Sequence, residues 1–155
     1  MHGEFVLVRE CLAPHGRRRD VDLLARWMVA YEAESLGERV TPALRASVRA
    51  SVESSVDRGQ TWVLEREGEL VSTSAFNTAI REAVQIGGVY TPPELRRRGY
   101  ARACVAQSLL DARAEGAAAS ILFTGEDNLP AQRAYEALGY RQIGDYRLLL
   151  LRSGG

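Results

Sequence analysis

The chain contains no lysine, and this absence excludes several kinds of chemistry. All 20 of its basic residues are arginine, within a length of 155 residues. No lysine side chain can therefore act as a base, form a Schiff base or hold a nucleotide phosphate in a Walker loop. The 20 acidic residues bring the net charge to zero. A neutral surface argues against a general nucleic-acid partner and leaves only a local basic patch at Arg17 to Arg19 as an alternative.

Cysteine and histidine are also scarce. Cys11, Cys104, His2 and His15 show neither the spacing of a metal site nor that of a redox pair, so we expect no bound metal. Cys104 falls on the apolar side of a predicted helix, where a buried thiol is expected. The sequence has no long apolar run at its start or elsewhere, which predicts a cytoplasmic protein without membrane contact.

The bulk composition is that of an ordinary globular protein. Hydrophobic residues make up 46% of the chain and charged residues 26%. No internal repeat, low-complexity tract or long linker divides the chain. We therefore predict one domain over residues 1–155, large enough to bury a core.

Hydrophobic periodicity and turn residues predict a mixed α/β chain in the order β-α-α-β-β-β-α-β-α-β. The predicted strands are Phe5 to Cys11, Thr61 to Glu65, Leu70 to Phe76, Val84 to Tyr90, Ser120 to Thr124 and Gln142 to Leu151. A hairpin turn is expected at Glu67 to Glu69 and a longer connection at Asn77 to Glu82, and the strand at Ser120 to Thr124 is expected to be buried.

The predicted helices have recognisable ends. Asp20 and Thr41 are expected to cap the first two, with Pro42 at the first position of the second. A third helix begins near Tyr100, and Asn128 opens a fourth. The apolar faces of the four helices are expected at Leu24, Trp27, Met28 and Tyr31; at Leu44, Val48, Val52 and Val56; at Ala101, Cys104, Val105, Ser108, Leu109 and Ala112; and at Ala131, Ala134, Tyr135 and Leu138. Glycines 37, 59, 116 and 139 are expected to end them.

The stretch Val84 to Arg102 predicts an anion site. An apolar strand stops at Thr91-Pro92-Pro93, a turn with three arginines and Gly99 follows, and a helix then begins. Amides in such a turn point into one concavity, and the helix dipole adds roughly half a positive charge there. This arrangement favours a ligand that carries phosphate.

Two motifs in this order resemble those of the GCN5-related N-acetyltransferase (GNAT) superfamily, and the resemblance covers nearly the whole chain. The family's Arg/Gln-x-x-Gly-x-Gly/Ala signature is similar to Arg96–Ala101, RRRGYA. Its asparagine with a tyrosine seven positions later is similar to Asn128 and Tyr135 in NLPAQRAYEALGY. The VYTPPE run further resembles an uncharacterised bacterial subgroup. The resemblance implies a GNAT fold with a splayed central strand pair.

The resemblance also implies acetyl-CoA as the donor and assigns most of its binding site. The pantetheine arm would pair with the free strand edge at Val89 to Thr91, and the amides of Arg97 to Arg102 would hold the pyrophosphate, with arginine side chains near the 3′-phosphate. Gly87 and Gly88 suit either close backbone approach or a β-bulge. The implied cofactor-binding residues are Val89, Tyr90, Thr91, Arg96, Arg97, Arg98, Gly99, Tyr100, Ala101, Arg102 and Asn128.

The catalytic residue that the resemblance implies is Tyr135, which would give a proton to the departing thiolate because the reference pKa values of the two groups are close. A backbone N–H near Tyr90 would stabilise the oxyanion. No general base is assigned, since Gln85 and Phe123 occupy the positions where relatives often carry a carboxylate. Solvent, a water chain or one of four carboxylates remains as the proton acceptor. The four are Glu32, Glu34, Glu126 and Asp127.

Each of these residues also has a purely structural interpretation. Tyr135 can be a core residue, Asn128 a helix cap, and Arg96 to Arg98 a solvated charge run. Trp27 and Tyr31 share one helical stripe, which favours a core position over an acceptor pocket.

The favoured function is an N-acetyltransferase acting on a primary amine of a small molecule or a peptide. The alternative is a non-catalytic acyl-CoA-binding sensor or regulatory module, which the missing base supports. The family resemblance also implies a possible homodimer.

Overall fold

The computed structural model describes residues 5–10 and 18–145, with five strands and four α-helices in that part of the chain. The strands are β1 (Phe5–Glu10), β2 (Thr61–Arg66), β3 (Glu69–Ala79), β4 (Ala83–Tyr90) and β5 (Ala119–Leu122). The helices are α1 (Val21–Leu36), α2 (Pro42–Asp57), α3 (Tyr100–Ala114) and α4 (Leu129–Glu136). Short 3-10 turns at Arg18–Asp20 and Pro93–Leu95 precede α1 and α3.

The order of these elements agrees with the predicted order as far as the description extends. The predicted closing strand, Gln142 to Leu151, falls mainly on residues outside the described ranges, and residues 142–145 have no strand structure. None of the helices in the described ranges is both long and apolar enough to traverse a bilayer.

The strands form one mixed sheet in the order β1-β2-β3-β4-β5. The first four pair antiparallel, whereas β4 and β5 run parallel. Pairing of β4 with β5 stops at Ile86 and Leu122, so Gly87 to Tyr90 has no partner on that edge within the described residues. The predicted mixed sheet with a splayed central strand pair is thus confirmed.

Helices cover both faces of the sheet and bury two clusters of side chains. On one face, α1 and α2 pack against Val63 and Tyr90. On the other face, α3 buries Tyr100, Cys104 and Val105 against side chains of β2, β3 and β4. The strand residues of this second cluster are Trp62, Leu64, Val71, Phe76, Val84 and Ile86.

The ends of α1 differ in how well the sequence predicted them. Gly37 closes the helix in a left-handed conformation with φ of 65°, as expected. Asp20, however, makes no side-chain cap bond, so the predicted cap is wrong. The reason is local, because Asp20 has φ of −93° and ψ of −10° in the preceding 3-10 turn, whereas a capping side chain normally starts from extended backbone.

The second helix forms as predicted. The Thr41 side chain accepts a hydrogen bond from the backbone N–H of Leu44 at 3.1 Å, and Pro42 occupies the first turn. Val48, Val52 and Val56 are buried on its single narrow stripe. This helix therefore covers one part of the sheet with a thin apolar face.

Two strand predictions need correction. Strand β3 continues to Ala79, because Thr78 and Ala79 still pair with β4, and the predicted connection shrinks to the turn between Ile80 and Ala83. The strand predicted at Ser120 to Thr124 is β5, which ends at Leu122. It was expected to be buried but is partly exposed: Ile121 is 40% exposed, and Phe123 just beyond the strand is 47% exposed. As the last strand of the described sheet, β5 pairs on one side only.

Candidate functional site at the end of β4

The two glycines of β4 mark a β-bulge. The pairing register of β3 and β4 shifts twice beside them. Gly88 has φ of 55°, and a Cβ there would lie 3.2 Å from the sulfur of Met28. A Cβ at Gly87 would overlap the side-chain amide of Asn77. Contacts inside the protein therefore explain both glycines, and of the two interpretations left open by the sequence, the structure favours the bulge.

The end of β4 is held from both sides. The buried hydroxyl of Ser72 donates to the carbonyl oxygen of Tyr90 at 3.1 Å and lies 2.9 Å from the hydroxyl of Thr91. The ring of Trp27 on α1 lies 6.0 Å from the Tyr90 ring, centroid to centroid. Val89 is partly buried against the opposite cluster. The unpaired edge of β4 at these residues is therefore held in place by contacts with β3 and α1.

The turn between β4 and α3 contains two residues in the left-handed region. Arg97 has φ of 62° and Gly99 has φ of 79°. Left-handed residues in such a turn direct successive amides into one concavity that suits an anion. Gly99 occupies the N-cap position of α3 and has no side chain with which to cap the helix, and the first amides of a helix point out of its end without an intrahelical partner. This backbone geometry suits the anion site that the sequence predicts, and the site itself stays a prediction.

The three arginines of the turn do not share one environment. Arg96 is turned back toward α1: its Nε donates to the carbonyl oxygen of Thr91 at 2.9 Å, and its Nη2 donates to Glu34 at 2.7 Å. Arg98 donates to the backbone carbonyl of Glu94 at 3.3 Å and also hydrogen-bonds the Tyr100 hydroxyl. The side chain of Arg96 is 44% exposed, so it is a solvated charge that is also hydrogen-bonded to Thr91 and Glu34.

A shallow groove of about 270 Å³ lies beside the first turns of α3. Tyr100 is buried beneath it, and the Tyr100 hydroxyl accepts a hydrogen bond from Arg66 of β2 at 2.6 Å. This hydrogen bond, with further help from Arg98, lowers the pKa of Tyr100. Two of the residues that line the groove, Arg98 and Arg102, are cationic. Its lining residues are Arg98, Gly99, Tyr100, Arg102, Ala103, Ala106 and Leu138.

Asn128 begins α4 on the far side of β5. Its side-chain oxygen accepts from the backbone N–H of Ala131 at 3.3 Å, so the capping role is confirmed. Pro130 occupies the first turn, and Gln132 closes the preceding loop by donating to the carbonyl oxygens of Gly125 and Glu126. The cap uses the oxygen of Asn128, and the residue is exposed.

Tyr135 is partly buried at the inner side of α4, where Tyr140 packs edge-on with its ring centre 5.9 Å away. Burial raises the pKa of Tyr135 to about 12, and Tyr31 of α1 and Tyr140 contribute to the increase. Its hydroxyl has no hydrogen-bond partner within residues 18–145. Tyr135 is therefore packed and at the same time retains a free donor.

The candidate bases differ in their surroundings. Gln85 is half-buried on β4 and Phe123 is exposed, and neither an amide nor a phenyl ring can act as a base. Glu34 is engaged by Arg96 and by the Tyr90 hydroxyl. Glu32, which is partly buried on α1, has its pKa raised by burial and by Glu38.

Some functional contacts were missed from the sequence because they join distant residues. Glu34 and Arg96 are 62 positions apart, and Arg66 and Tyr100 are 34 positions apart. No local pattern identifies such pairs. Within the described ranges, no three His, Cys, Asp or Glu side chains are grouped to bind a metal ion.

Comparison with known proteins gives a family and a set of structural neighbours. A family model described as "Acetyltransferase (GNAT) family" matches residues 22–140. None of the curated proteins matches significantly. Eight solved structures with 12–20% identity align over 93–99% of this chain and show the fold.

Three of these neighbours illustrate the likeness. The protein Rv2747 from Mycobacterium tuberculosis, solved with CoA, has a TM-score of 0.69 at 19% identity, over 93% of this chain and 76% of its own. A predicted acetyltransferase from Clostridium acetobutylicum, solved with acetyl-CoA, has a TM-score of 0.68 at 14% identity, over 96% of both chains. AAC(6')-Iy, solved with a bisubstrate analog, has a TM-score of 0.70 at 12% identity, over 97% of this chain and 99% of its own.

Proposed function

Because this chain belongs to the GNAT family of acetyltransferases, we propose that it moves an acetyl group from acetyl-CoA to a primary amine. One observation carries the proposal. Strand β4 leaves its partner β5 after Ile86 and leads, along an unpaired edge, into a turn with left-handed Arg97 and Gly99 at the head of α3. This is a continuous surface for a long ligand with a phosphate-bearing middle.

In the proposed complex the pantetheine arm adds to the free edge of β4 at Val89, Tyr90 and Thr91 as an extra strand. The amides from Arg97 to Arg102 hold the pyrophosphate, and the positive end of α3 stabilises it further. The proposed cofactor-binding residues are those that the family resemblance implies: Val89, Tyr90, Thr91, Arg96, Arg97, Arg98, Gly99, Tyr100, Ala101, Arg102 and Asn128.

The proposed chemistry is direct transfer. The lone pair of a neutral amine attacks the thioester carbonyl carbon, and the carbonyl electrons move to oxygen, which a backbone N–H near Tyr90 stabilises. The tetrahedral intermediate collapses, the carbon–sulfur bond breaks, and its electron pair leaves with sulfur. The amine gives one proton to a base, and the thiolate takes one from Tyr135, which regains a proton from solvent. The products are an amide and free coenzyme A.

The role of Tyr135 follows from its pKa. Burial raises this pKa to about 12, so Tyr135 stays protonated throughout the physiological range, as a proton donor must. Its hydroxyl donates a hydrogen bond to the sulfur as charge develops there and gives up its proton as the carbon–sulfur bond breaks.

For the proton that leaves the amine, we propose Glu32. Glu32 follows Met28 by one helical turn on α1, and the sulfur of Met28 lies 3.2 Å from the point that a Cβ of Gly88 would occupy. Burial, and then Glu38, raise the pKa of Glu32, the direction that a general base requires. Glu34 is already engaged by Arg96 and is a poorer candidate.

The experiment is a comparison of Tyr135→Phe with the wild type, measuring coenzyme A affinity and the release of free thiol from acetyl-CoA in the presence of amines. We expect turnover to fall by about a hundredfold, the lower end for a positioned acid, with affinity nearly unchanged. Tyr140→Phe is a matched control, since it removes a hydroxyl that contacts Ser120. Equal turnover in wild type and Tyr135→Phe would show that Tyr135 is only a packed residue.

The alternative is a non-catalytic acyl-CoA-binding sensor. The neutral side chains at Gln85 and Phe123, where many relatives carry a base, favour it. Both functions require the same cofactor surface, so binding does not distinguish them and turnover does. A protein that binds coenzyme A but releases no thiol above the buffer rate would be the sensor.

The acceptor is proposed to be an amine of a small molecule or a peptide. A homodimer, a cytoplasmic location and a single domain over residues 1–155 remain predictions, as does membership of the VYTPPE subgroup.

A further inference from the structure

Arg96, the first residue of the RRRGYA motif, makes contacts that differ from those of a phosphate ligand. Its guanidinium joins three elements: Nε donates to the carbonyl oxygen of Thr91, Nη2 donates to Glu34, and the central carbon lies 5.6 Å from the centre of the Tyr90 ring. The donors thus point back along the chain and toward α1.

Glu34 of α1 accepts hydrogen bonds from both Tyr90 and Arg96. Its second oxygen accepts from the Tyr90 hydroxyl at 3.3 Å, while the first accepts from Arg96. One carboxylate in the last turn of α1 therefore links the final residue of β4 to the first residue of the turn. Burial, and then Glu34, raise the pKa of Tyr90, which keeps its hydroxyl a donor in this arrangement.

We infer that Arg96 is a positioning residue: with Glu34 it fixes the end of β4 and the cofactor turn from the side of α1, and its side chain does not bind a coenzyme phosphate. The inference rests on the proposed function, because it concerns the same cofactor surface. It assigns phosphate contacts to the remaining cations of the turn, Arg97, Arg98 and Arg102.

The two roles of Arg96 predict opposite effects of Glu34→Gln. If Arg96 holds a phosphate, removing the neighbouring negative charge strengthens its attraction for the anion, and coenzyme A binds more tightly. If Arg96 positions the turn through Glu34, removing the carboxylate loosens the turn, and coenzyme A binds more weakly. Glu94→Gln is the matched control, because it removes a negative charge of the same turn and Glu94 is not among the hydrogen-bond partners of Arg96 in the described residues.

The experiment is titration of coenzyme A and 3′-dephospho-coenzyme A into the full chain, at a temperature where melting curves show every variant folded. The variants are Glu34→Gln, Arg96→Gln, the double variant, Arg96→Lys and Glu94→Gln. Glu34 and Arg96 are each 44% exposed, so the pair is screened and we expect each single change to weaken binding by about two- to fivefold.

Three further results are expected. The double variant binds no more weakly than either single variant, because both changes break one unit. The loss is the same for coenzyme A and for 3′-dephospho-coenzyme A. Arg96→Lys does not restore affinity, because one ammonium group cannot replace the planar fork that reaches Thr91 and Glu34 together.

Other results would overturn the inference. Tighter binding by Glu34→Gln, additive losses in the double variant, rescue by Arg96→Lys, or a penalty that disappears with 3′-dephospho-coenzyme A would each make Arg96 a phosphate ligand. Wild-type protein that binds no coenzyme A at all would overturn the proposed function and this inference with it.

Discussion

Replacing Arg97 with glycine tests whether the backbone of the cofactor turn is under conformational strain. Arg97 has φ of 62°, where a residue with a side chain is about 1–2 kcal/mol less stable than in the right-handed region. Glycine removes that cost but adds about 0.4–1 kcal/mol of unfolded-state entropy. The net result is a stabilisation of about 0.5–1 kcal/mol. In a chain of this length the melting temperature should rise by about 1–4 °C.

Gly99→Ala is the matched control, with the opposite expected sign. Gly99 has φ of 79°, and a Cβ there would meet only an Arg102 nitrogen at 4.0 Å, so the cost comes from the backbone and not from a clash. Thermal unfolding of both variants, with coenzyme A titration, is the assay. We expect Arg97→Gly to bind coenzyme A more weakly, because one phosphate contact is lost, but still to bind it, because backbone amides carry the pyrophosphate. A lower melting temperature for Arg97→Gly, or complete loss of its binding, would refute the reasoning.

Two further predictions concern the bulge of β4 and the proposed base. Gly88→Ala should destabilise the protein by about 1–2 kcal/mol, because the φ of 55° at this position disfavours a side chain. Gly87→Ala should lower the free energy of unfolding by less, since only the exposed amide of Asn77 has to move. Denaturant unfolding measures both changes. If Glu32 accepts the proton, activity should fall as the pH drops through its raised pKa, and Glu32→Gln should lower turnover and remove that acid limb of the kcat/KM profile. An unchanged acid limb in Glu32→Gln would exclude Glu32 as the base.

Features governed by local rules were predictable from the sequence. Thr41 and Pro42 begin α2, Gly37 ends α1, and Asn128 caps α4, because each role depends on residues within one helical turn. The turn before α3 was also identified, since Gly99 permits a left-handed backbone and the preceding proline pair fixes φ. The same rules failed at Asp20, where a 3-10 turn sets backbone angles that the residue type does not reveal.

Features that depend on tertiary packing were not predictable. An apolar run such as Ser120 to Thr124 predicts burial, but the actual exposure of Ile121 depends on the position of β5 at the margin of the described sheet. The separate role of Arg96 within three consecutive arginines depends on Glu34, which reaches it through the fold. The raised pKa of Tyr135 likewise depends on neighbours from α1 and from beyond α4.

The central claim is that the surface from Val89 to Arg102 binds an acetyl donor used in catalysis. The most direct test is to measure thiol release from acetyl-CoA by the wild-type protein across a panel of primary amines. We predict release above the buffer rate that requires an amine and saturates with acetyl-CoA, and acetylated amine in equal amount. Tight binding of coenzyme A without amine-dependent release from any member of a panel of small amines and peptides would contradict the enzyme and favour the sensor. Absence of both binding and release would contradict the account of the site itself.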